Sequence, residues 1–230
     1  MLYQLSYAGA AVSLRDCPKM SHQTEPPPPS VRLKDGSEIR VRPVRARDKA
    51  AIASGFERMS PQSRYRRFFA PLQKLSGRDL TYLTEVDHHD HEALIAFEAS
   101  SGEPVGVARY VRSENAVEAE VAVTVIDDWQ GRGAATALLD ALVERARDEG
   151  IERFIALVLS ENRDALELFE HLAPDAGEPR RSASGHLELV IELPEPGEVS
   201  DSLLGRALRA AARGALVANP WRVLRDRIAR

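Results

Sequence analysis

A glycine-containing turn between a predicted strand and a predicted helix carries residues whose types and spacing suit phosphate binding. The β-branched run at 121–126 predicts the strand, and apolar residues spaced by three and four from Ala135 to Gly150 predict the helix. Gly131 and Gly133 lie between them and have no Cβ, so a phosphate can approach the main chain closely. The helix start adds free N–H groups and a positive end. We therefore predict a cofactor phosphate site here, to which Arg132 can add a charge-assisted contact.

Two common nucleotide-binding loops fit this turn less well. A Walker loop ends in Gly-Lys-Ser/Thr, whereas Gly133 is followed by two alanines. A dinucleotide-binding turn is a better alternative, because Gly131-x-Gly133 precedes a helix and Glu161 follows the next apolar run. The polar insert 127–130 separates the strand from the glycines, however, and the preceding segments are predicted to be consecutive strands, without alternating helices.

The same turn resembles the signature of an enzyme superfamily. Gln130-x-x-Gly133-x-Ala135 is similar to the Gln/Arg-x-x-Gly-x-Gly/Ala pattern of the GNAT superfamily of acetyl-CoA-dependent N-acetyltransferases, and the strand, the helix and Asn162 follow in the matching order. The resemblance implies acetyl-CoA as cosubstrate, with no metal. It also implies that the backbone of the loop holds the pyrophosphate, through Gln130, Gly131, Arg132, Gly133, Ala134 and Ala135.

A longer stretch, roughly residues 33–172, resembles the catalytic module of bacterial protein lysine acetyltransferases. The likeness lies in the segments 59–69 and 83–93, together with Arg42-Pro43-Val44. It implies direct transfer of an acetyl group to an amine, preferably a protein lysine. A small-molecule amine is the alternative acceptor, and a catalytically weak acyl-CoA-binding regulatory module is an alternative of a different class.

The predicted chemistry needs a base. A lysine amine has a pKa near ~10.4, so its deprotonation at pH 7 costs about 4.6 kcal/mol, and only the neutral amine attacks a thioester. In the GNAT family a glutamate near the position of Glu120 serves as the base, directly or through water, so the resemblance implies Glu120 as the catalytic residue. Glu118 competes on the same strand face, and either could simply be a solvated strand residue.

The resemblance also implies contacts for the pantetheine arm, from strand atoms near Val123 and Val125 and from Asn162. Asn162 could equally cap the predicted helix at 163–172. The family often has a tyrosine seven residues after this asparagine as proton donor to the thiolate, but Phe169 occupies that position and cannot donate. The proton for the leaving thiolate would then come from solvent or from Ser160.

The predicted fold class is α/β (α+β), a GNAT fold with a mixed central sheet flanked by helices and an added C-terminal amphipathic helix. We expect a disordered tail at 1–30, an acetyltransferase domain at 31–194 and a helical extension at 195–230. The predicted strands are Glu38–Val44, Ala93–Glu98, Val105–Val111, Glu118–Ile126, Phe154–Leu159 and Leu187–Leu193, and helices begin at Lys49 and, with Ser60 as N-cap, at Pro61.

Composition favours a soluble cytoplasmic enzyme. Cys17 is the only cysteine among 230 residues, which excludes an internal disulfide and favours a reducing compartment. No apolar run approaches the ~18 residues of a membrane span, and the N-terminus lacks a secretory pattern. The net charge of −4 gives no reason to expect nucleic acid.

Three arginines in the second predicted helix, Arg64, Arg66 and Arg67, have two interpretations. They form either a solvated helix face, with Tyr65, Phe68 and Phe69 in the core, or a wall of the acceptor site.

The cluster of His88, His89 and His91 with Asp87 and Asp90 invites a metal hypothesis. Consecutive histidines point apart in an extended chain, and no His-Glu-x-x-His spacing is present. We expect a polar loop near the acceptor site instead.

Residues 200–230 carry a charge of +5, from seven arginines against two aspartates, along an apolar stripe. A basic amphipathic helix can bind an anionic membrane or dock on protein. We expect docking, on its own domain, on a partner or in a homo-oligomer.

Overall fold

Eight strands join into one mixed sheet in the computed structural model, which describes residues 30–68, 71–159, 180–181 and 186–194. The strands are β1 (Ser30–Arg32), β2 (Glu38–Pro43), β3 (His91–Glu98), β4 (Pro104–Arg112), β5 (Glu118–Val125), β6 (Arg153–Leu159), β7 (Arg180–Arg181) and β8 (His186–Glu192). The helices are α1 (Lys49–Glu57), α2 (Pro61–Phe68), α3 (Gly77–Thr84) and α4 (Ala134–Asp148). The spatial order of the strands is β1-β2-β3-β4-β5-β6-β8-β7.

Neighbouring strands in the described part of the sheet are antiparallel, with the single exception of β5 and β6. A parallel pair needs a crossover connection, and α4 supplies it between these two strands. Helix α4 is amphipathic, and its buried face packs on the sheet through Leu138, Leu139, Leu142, Val143 and Ala146. This crossover fixes where β5 ends and where β6 begins.

The two faces of the sheet carry separate apolar cores. Beneath α4 the larger core takes the alternate strand residues that include Leu94, Tyr110 and Val121. On the other face, α1 and α3 cover a smaller core that includes Ile52 and Ile95. Because successive strand residues point to opposite faces, the even-numbered residues of β5 lie on the side of α1 and α3.

The predicted mixed sheet flanked by helices is confirmed, and the predicted strands and helix starts lie within about two residues of the observed ones. Helix α3 and the short strands β1 and β7 were not expected. The signal for α3 is a reciprocal cap, in which the Ser76 hydroxyl accepts from the Asp79 N–H (3.2 Å) and the Asp79 carboxylate accepts from the Ser76 N–H (2.8 Å). The N-terminal tail, the helix predicted at 163–172 and the C-terminal extension lie outside the described residues.

Replacing Gly106 in β4 with alanine should destabilise the fold by about 1–3 kcal/mol, because the added Cβ would lie 2.6 Å from the carbonyl oxygen of Thr124 in β5. Urea unfolding measures the change. Gly77→Ala is the control, since a Cβ there meets no atom of the described residues within 4 Å, and a helical alanine should leave the free energy of unfolding unchanged or raised. Equal stability of the two variants would contradict close packing of β4 on β5.

Candidate functional site

Strands β5 and β6 pair over three residues and then part. Glu118, Ala119 and Glu120 pair with Arg153, Phe154 and Ile155. Beyond these pairs, as far as the described residues show, β5 continues to Val125 on β4 alone and β6 continues to Leu159 on β8 alone. The backbone edge of β5 from Val121 to Val125 therefore faces an opening between the two strands. Backbone N–H and C=O groups on such an edge are available to a ligand that lies along it.

The loop after β5 places two glycines at the mouth of this opening. Gly131 has φ 78° and Gly133 has φ 106°, a region that favours glycine. Gly133 is also the N-cap of α4 and offers no side-chain cap to the first turn. Among the described residues, a Cβ added at Gly131 would meet nothing within 4 Å, and one at Gly133 would meet the Lys34 side chain alone, at 3.9 Å. The space in front of the helix start is open.

The side chains of this loop support its own conformation. Gln130 donates its amide to the Val125 carbonyl (3.2 Å) and to Asp127 (3.3 Å), so this side chain closes the turn. The Arg132 guanidinium lies 4.9 Å from the centre of the Trp129 ring. It also lies 3.6 Å from the carboxylate of Asp35. Arg132 is two-fifths exposed, which leaves its charge accessible to a ligand at the loop.

Asp127 joins the loop to α2. Its carboxylate accepts hydrogen bonds from the Ser63 hydroxyl (2.7 Å) and the Ser60 N–H (3.0 Å), while the Ser60 hydroxyl caps α2 by accepting from the Ser63 N–H (3.1 Å). Burial alone would raise the pKa of Asp127, but these hydrogen bonds outweigh it and hold the pKa below its ordinary value. The predicted N-cap role of Ser60 is confirmed, and its cap is shared with the loop.

The two candidate bases on β5 have different surroundings. Glu120 forms the last residue pair before the strands part, and its side chain is half-buried. Glu118 is two residues deeper in the paired region, where its carboxylate lies 3.2 Å from the Arg153 guanidinium. Glu120 is thus the carboxylate at the apex of the opening, and Glu118 is engaged in an ion pair.

The arginine-rich helix α2 fits neither of the two expected arrangements completely. Tyr65 is 45% exposed, so its predicted place in the core is wrong, whereas Phe68 is buried as expected. Arg67 is buried, with 8% of its surface exposed, and it therefore does not belong to a solvated face. Arg64 fixes the corner between α1 and α2 by donating to the backbone carbonyls of Phe56 and Glu57. The side chain of Arg66, and Phe69 entirely, lie outside what the structure describes.

The histidine-rich segment is a hydrogen-bonded loop. His88 contacts Glu92 (Nδ1 to Oε1, 2.7 Å), and His89 contacts Glu149. Asp87 accepts from the N–H groups of His89 (2.9 Å) and His91 (2.8 Å). Within the described part of the chain, no group of three or more His, Cys, Asp or Glu residues is arranged to hold a metal ion.

Arg109 was missed by sequence reasoning. It lies in the middle of β4, is 1% exposed, and donates to the Leu83 carbonyl (2.9 Å) and to Nε2 of His91 (3.1 Å). The available signal was a single charged residue within the apolar run Val105–Val111. It faces the side of α1 and α3, and with Arg67 and Thr124 it lines a pocket there.

Several predicted features cannot be placed. Asn162, Ser160 and Phe169, as well as the helix expected at 195–230, lie outside the described residues. No helix in the described part of the chain is long and apolar enough to cross a membrane.

Comparisons with known proteins agree on one family. The sequence model described as "Acetyltransferase (GNAT) family" matches residues 59–173. Acetyltransferase Pat of Mycolicibacterium smegmatis is 37% identical over 146 residues, which are 63% of this chain and 44% of that protein. The chain thus spans less than half the length of that relative. Acetyltransferase PA5475 of Pseudomonas aeruginosa is 30% identical over 138 residues, 59% of this chain and 74% of that protein.

Solved structures share the architecture. The GNAT domain of S. lividans PAT superposes with a TM-score of 0.63 and 36% identity, over 72% of this chain and 96% of that one. The structure of yncA from Salmonella typhimurium with its cofactor acetyl-CoA superposes with a TM-score of 0.50 and 19% identity, over 69% of this chain and 96% of that one. At that identity the likeness to yncA shows the fold alone.

Replacing Asp127 with asparagine should lower the free energy of unfolding at pH 7 by about 1–2 kcal/mol, because two hydrogen bonds to a charged acceptor are weakened. Because the folded-state pKa is lowered, this stabilisation is present above the ordinary value of 3.8 and is lost as the pH falls through the folded-state pKa. The difference between wild type and variant in urea unfolding should therefore shrink below about pH 4.

Asp128→Asn is the matched control, since this carboxylate is 76% exposed and lies 3.8 Å from the Arg58 guanidinium. Its removal should change the free energy of unfolding by less than about 0.5 kcal/mol. A loss as large as that of Asp127→Asn would contradict the anchoring role of Asp127.

Proposed function

The chain belongs to the acetyltransferase (GNAT) family, and we propose that it transfers an acetyl group from acetyl-CoA directly to an amine, preferably the side chain of a protein lysine. The observation that carries this proposal is the opening between β5 and β6, which has Glu120 at its apex and the glycine loop at its mouth. A ligand laid along β5 would have its anionic end at the loop and its opposite end at the carboxylate.

The described residues fit acetyl-CoA. The backbone near Val123 and Val125 would pair with the pantetheine arm, because this edge of β5 is not paired with β6 in the described structure. The loop from Gln130 to Ala135 would hold the pyrophosphate through its N–H groups, since the positive φ angles and the missing Cβ atoms of its glycines leave the approach open. Arg132 would add charge. Asn162 is proposed as a further contact to the pantetheine arm.

Glu120 is proposed as the general base. Acetyl-CoA supplies an electrophilic thioester carbonyl with a thiolate as leaving group. Glu120 accepts a proton from the acceptor ammonium, directly or through water, and the neutral nitrogen then attacks the thioester carbonyl. The C–N bond forms, the C–S bond breaks with its electron pair on sulfur, and the nitrogen loses its second proton through solvent to the thiolate. The apex position supports Glu120 over Glu118, which lies two residues deeper in the paired part of the strands.

Two observations bear on the acceptor. Similarity to Acetyltransferase Pat and to the GNAT domain of S. lividans PAT, together with the resemblance to bacterial protein lysine acetyltransferases, supports a protein lysine. A pocket lies between the helices and the sheet, on the face of β5 that carries Glu120, so a small-molecule amine is the second candidate. Turnover of acetyl-CoA against a panel of proteins and amines separates them. Binding of acetyl-CoA with no turnover on any acceptor would favour a regulatory module.

Glu120→Gln should lower kcat by about 100-fold or more while the Kd for acetyl-CoA stays the same, because the amide keeps the shape of the side chain but cannot take the proton. Steady-state kinetics and calorimetry measure the two quantities. Glu118→Gln is the matched control and should retain most activity. The assignment is wrong if Glu120→Gln stays active and Glu118→Gln abolishes turnover.

Gly133→Glu should weaken acetyl-CoA binding by about 100-fold, because the side chain blocks the backbone, adds negative charge and strains a position with φ 106°. Calorimetry on the folded variant measures the loss. Gly150→Glu is the control, because Gly150 also has positive φ (73°) and open space but lies beyond the C-terminal end of α4. Unchanged affinity in folded Gly133→Glu would remove the phosphate-loop assignment.

A further inference from the structure

An apolar pocket lies between the sheet and helices α1 to α3, on the opposite face from α4. Its cavity volume is about 60 Å³, and it is partly open to solvent. Most of the residues around it are aliphatic or aromatic, such as Ile52, Phe56 and Leu83. Two arginines, Arg67 and Arg109, also line it, and both are more than nine-tenths buried. Two buried cations in an apolar pocket call for a physical explanation, because desolvating a charge is costly.

Arg109 keeps unused hydrogen-bonding capacity at the pocket. Its two terminal nitrogens donate to neutral acceptors, the Leu83 carbonyl and Nε2 of His91, which must accept because a guanidinium only donates. Its Nε is buried and has no hydrogen-bond partner among the described residues, and no carboxylate there forms an ion pair with this side chain. The charge of Arg109 is therefore solvated by dipoles alone in the described structure.

Thr124 supplies a second buried polar atom at the same pocket. Its Oγ1 has no hydrogen-bond partner among the described residues. In the register of β4 and β5, Val107 pairs with Thr124 and Ala122 with Arg109, so Thr124 and Arg109 are diagonal neighbours on one face. Diagonal neighbours lie about 7–8 Å apart at Cα, a gap that one ligand carboxylate and an arginine side chain can fill.

Arg67 adds a second positive charge to the pocket. Its guanidinium lies 5.1 Å from the centre of the Phe68 ring. Burial, and to a smaller extent the nearby charge of Arg109, lower the pKa of Arg67 to about 9. Burial likewise lowers the pKa of Arg109 to about 10, so both remain protonated at pH 7. The pocket thus has an apolar wall and a positive potential.

We propose that this pocket binds a small organic carboxylate with an apolar body, with the carboxylate at Arg109, Arg67 and the Thr124 hydroxyl. A ligand carboxylate would accept a hydrogen bond from the unpartnered Nε–H of Arg109 and another from the Thr124 hydroxyl. A planar guanidinium can bind a carboxylate through two parallel hydrogen bonds. The apolar body lies against Phe56, Ile52 and their neighbours. The claim concerns binding, and calorimetry tests it without any acetyl transfer.

Calorimetry with hexanoate as the probe and hexanamide as its uncharged counterpart tests the pocket. The intact protein should bind hexanoate about 10- to 100-fold more tightly than hexanamide, the range expected when hydrogen bonds to a charged group are lost. Arg109→Met and Thr124→Val should each weaken hexanoate binding, while hexanamide binding stays unchanged. Thr124→Val is nearly isosteric, so it tests the site even if Arg109→Met fails to fold, since Arg109 also holds the Leu83 carbonyl at the end of α3.

Arg47→Met is the matched control, because Arg47 is exposed in the turn before α1 and its loss makes the same change in net charge. It should leave hexanoate binding intact. The proposal is overturned if hexanoate and hexanamide bind equally, if inorganic phosphate binds as tightly as hexanoate, or if Arg47→Met weakens binding as much as Thr124→Val. The Kd for acetyl-CoA, measured alongside, reports the proposed cofactor site independently.

Two sources of this carboxylate are distinguished by a second pair of measurements. If it belongs to the acceptor, 6-aminohexanoate should have a lower KM than 6-aminohexanamide in the wild type and not in Thr124→Val. If the carboxylate belongs to the acyl group, the wild type should bind adipoyl-CoA more tightly than hexanoyl-CoA. Thr124→Val should lose this preference. Hexanoate binding without either preference identifies a site for a free carboxylate.

Discussion

The parting of β5 from β6 is the constraint on which the described site depends. The parallel pairing extends over three residue pairs, beyond which β5 stays paired with β4 as far as Gly106 and Val125, and β6 stays paired with β8. The absence of a side chain at Gly106 lets β4 approach the Thr124 carbonyl closely. The crossover helix α4 then begins at the mouth of the opening, so the strand edge, the glycine loop and the helix start converge there.

The loop at this mouth is secured from two parts of the fold. Asp127 binds the start of α2 through Ser60 and Ser63, and Arg132 lies between the Trp129 ring and the carboxylate of Asp35. The helix that borders the pocket and the loop proposed to hold pyrophosphate therefore share one carboxylate. Such coupling restricts the loop before any ligand binds, which lowers the entropic cost of binding.

Buried charge is handled differently on the two faces of the sheet. On the α4 face, Glu92 is fully buried, and its carboxylate meets His88 Nδ1 (2.7 Å), the Ala93 N–H (2.8 Å) and the Arg145 guanidinium (3.1 Å). That network is complete, as buried polar groups require. On the opposite face, the hydrogen-bond acceptors of Arg109 among the described residues are all neutral, and its Nε–H has no acceptor there. The contrast supports the carboxylate site proposed on the second face.

The sequence by itself determined the local features: the β-branched strand, the glycine turn, the amphipathic α4 and the cap at Ser60-Pro61. Each of these features depends on residues a few positions apart, so their backbone preferences and periodicity can be recognised from the sequence. It also indicated the family, through Gln130-x-x-Gly133-x-Ala135. Only the tertiary structure decided that β5 and β6 separate after Glu120, that Arg67 and Arg109 are buried and that Tyr65 is exposed, because these depend on strand pairing and packing between segments far apart in sequence.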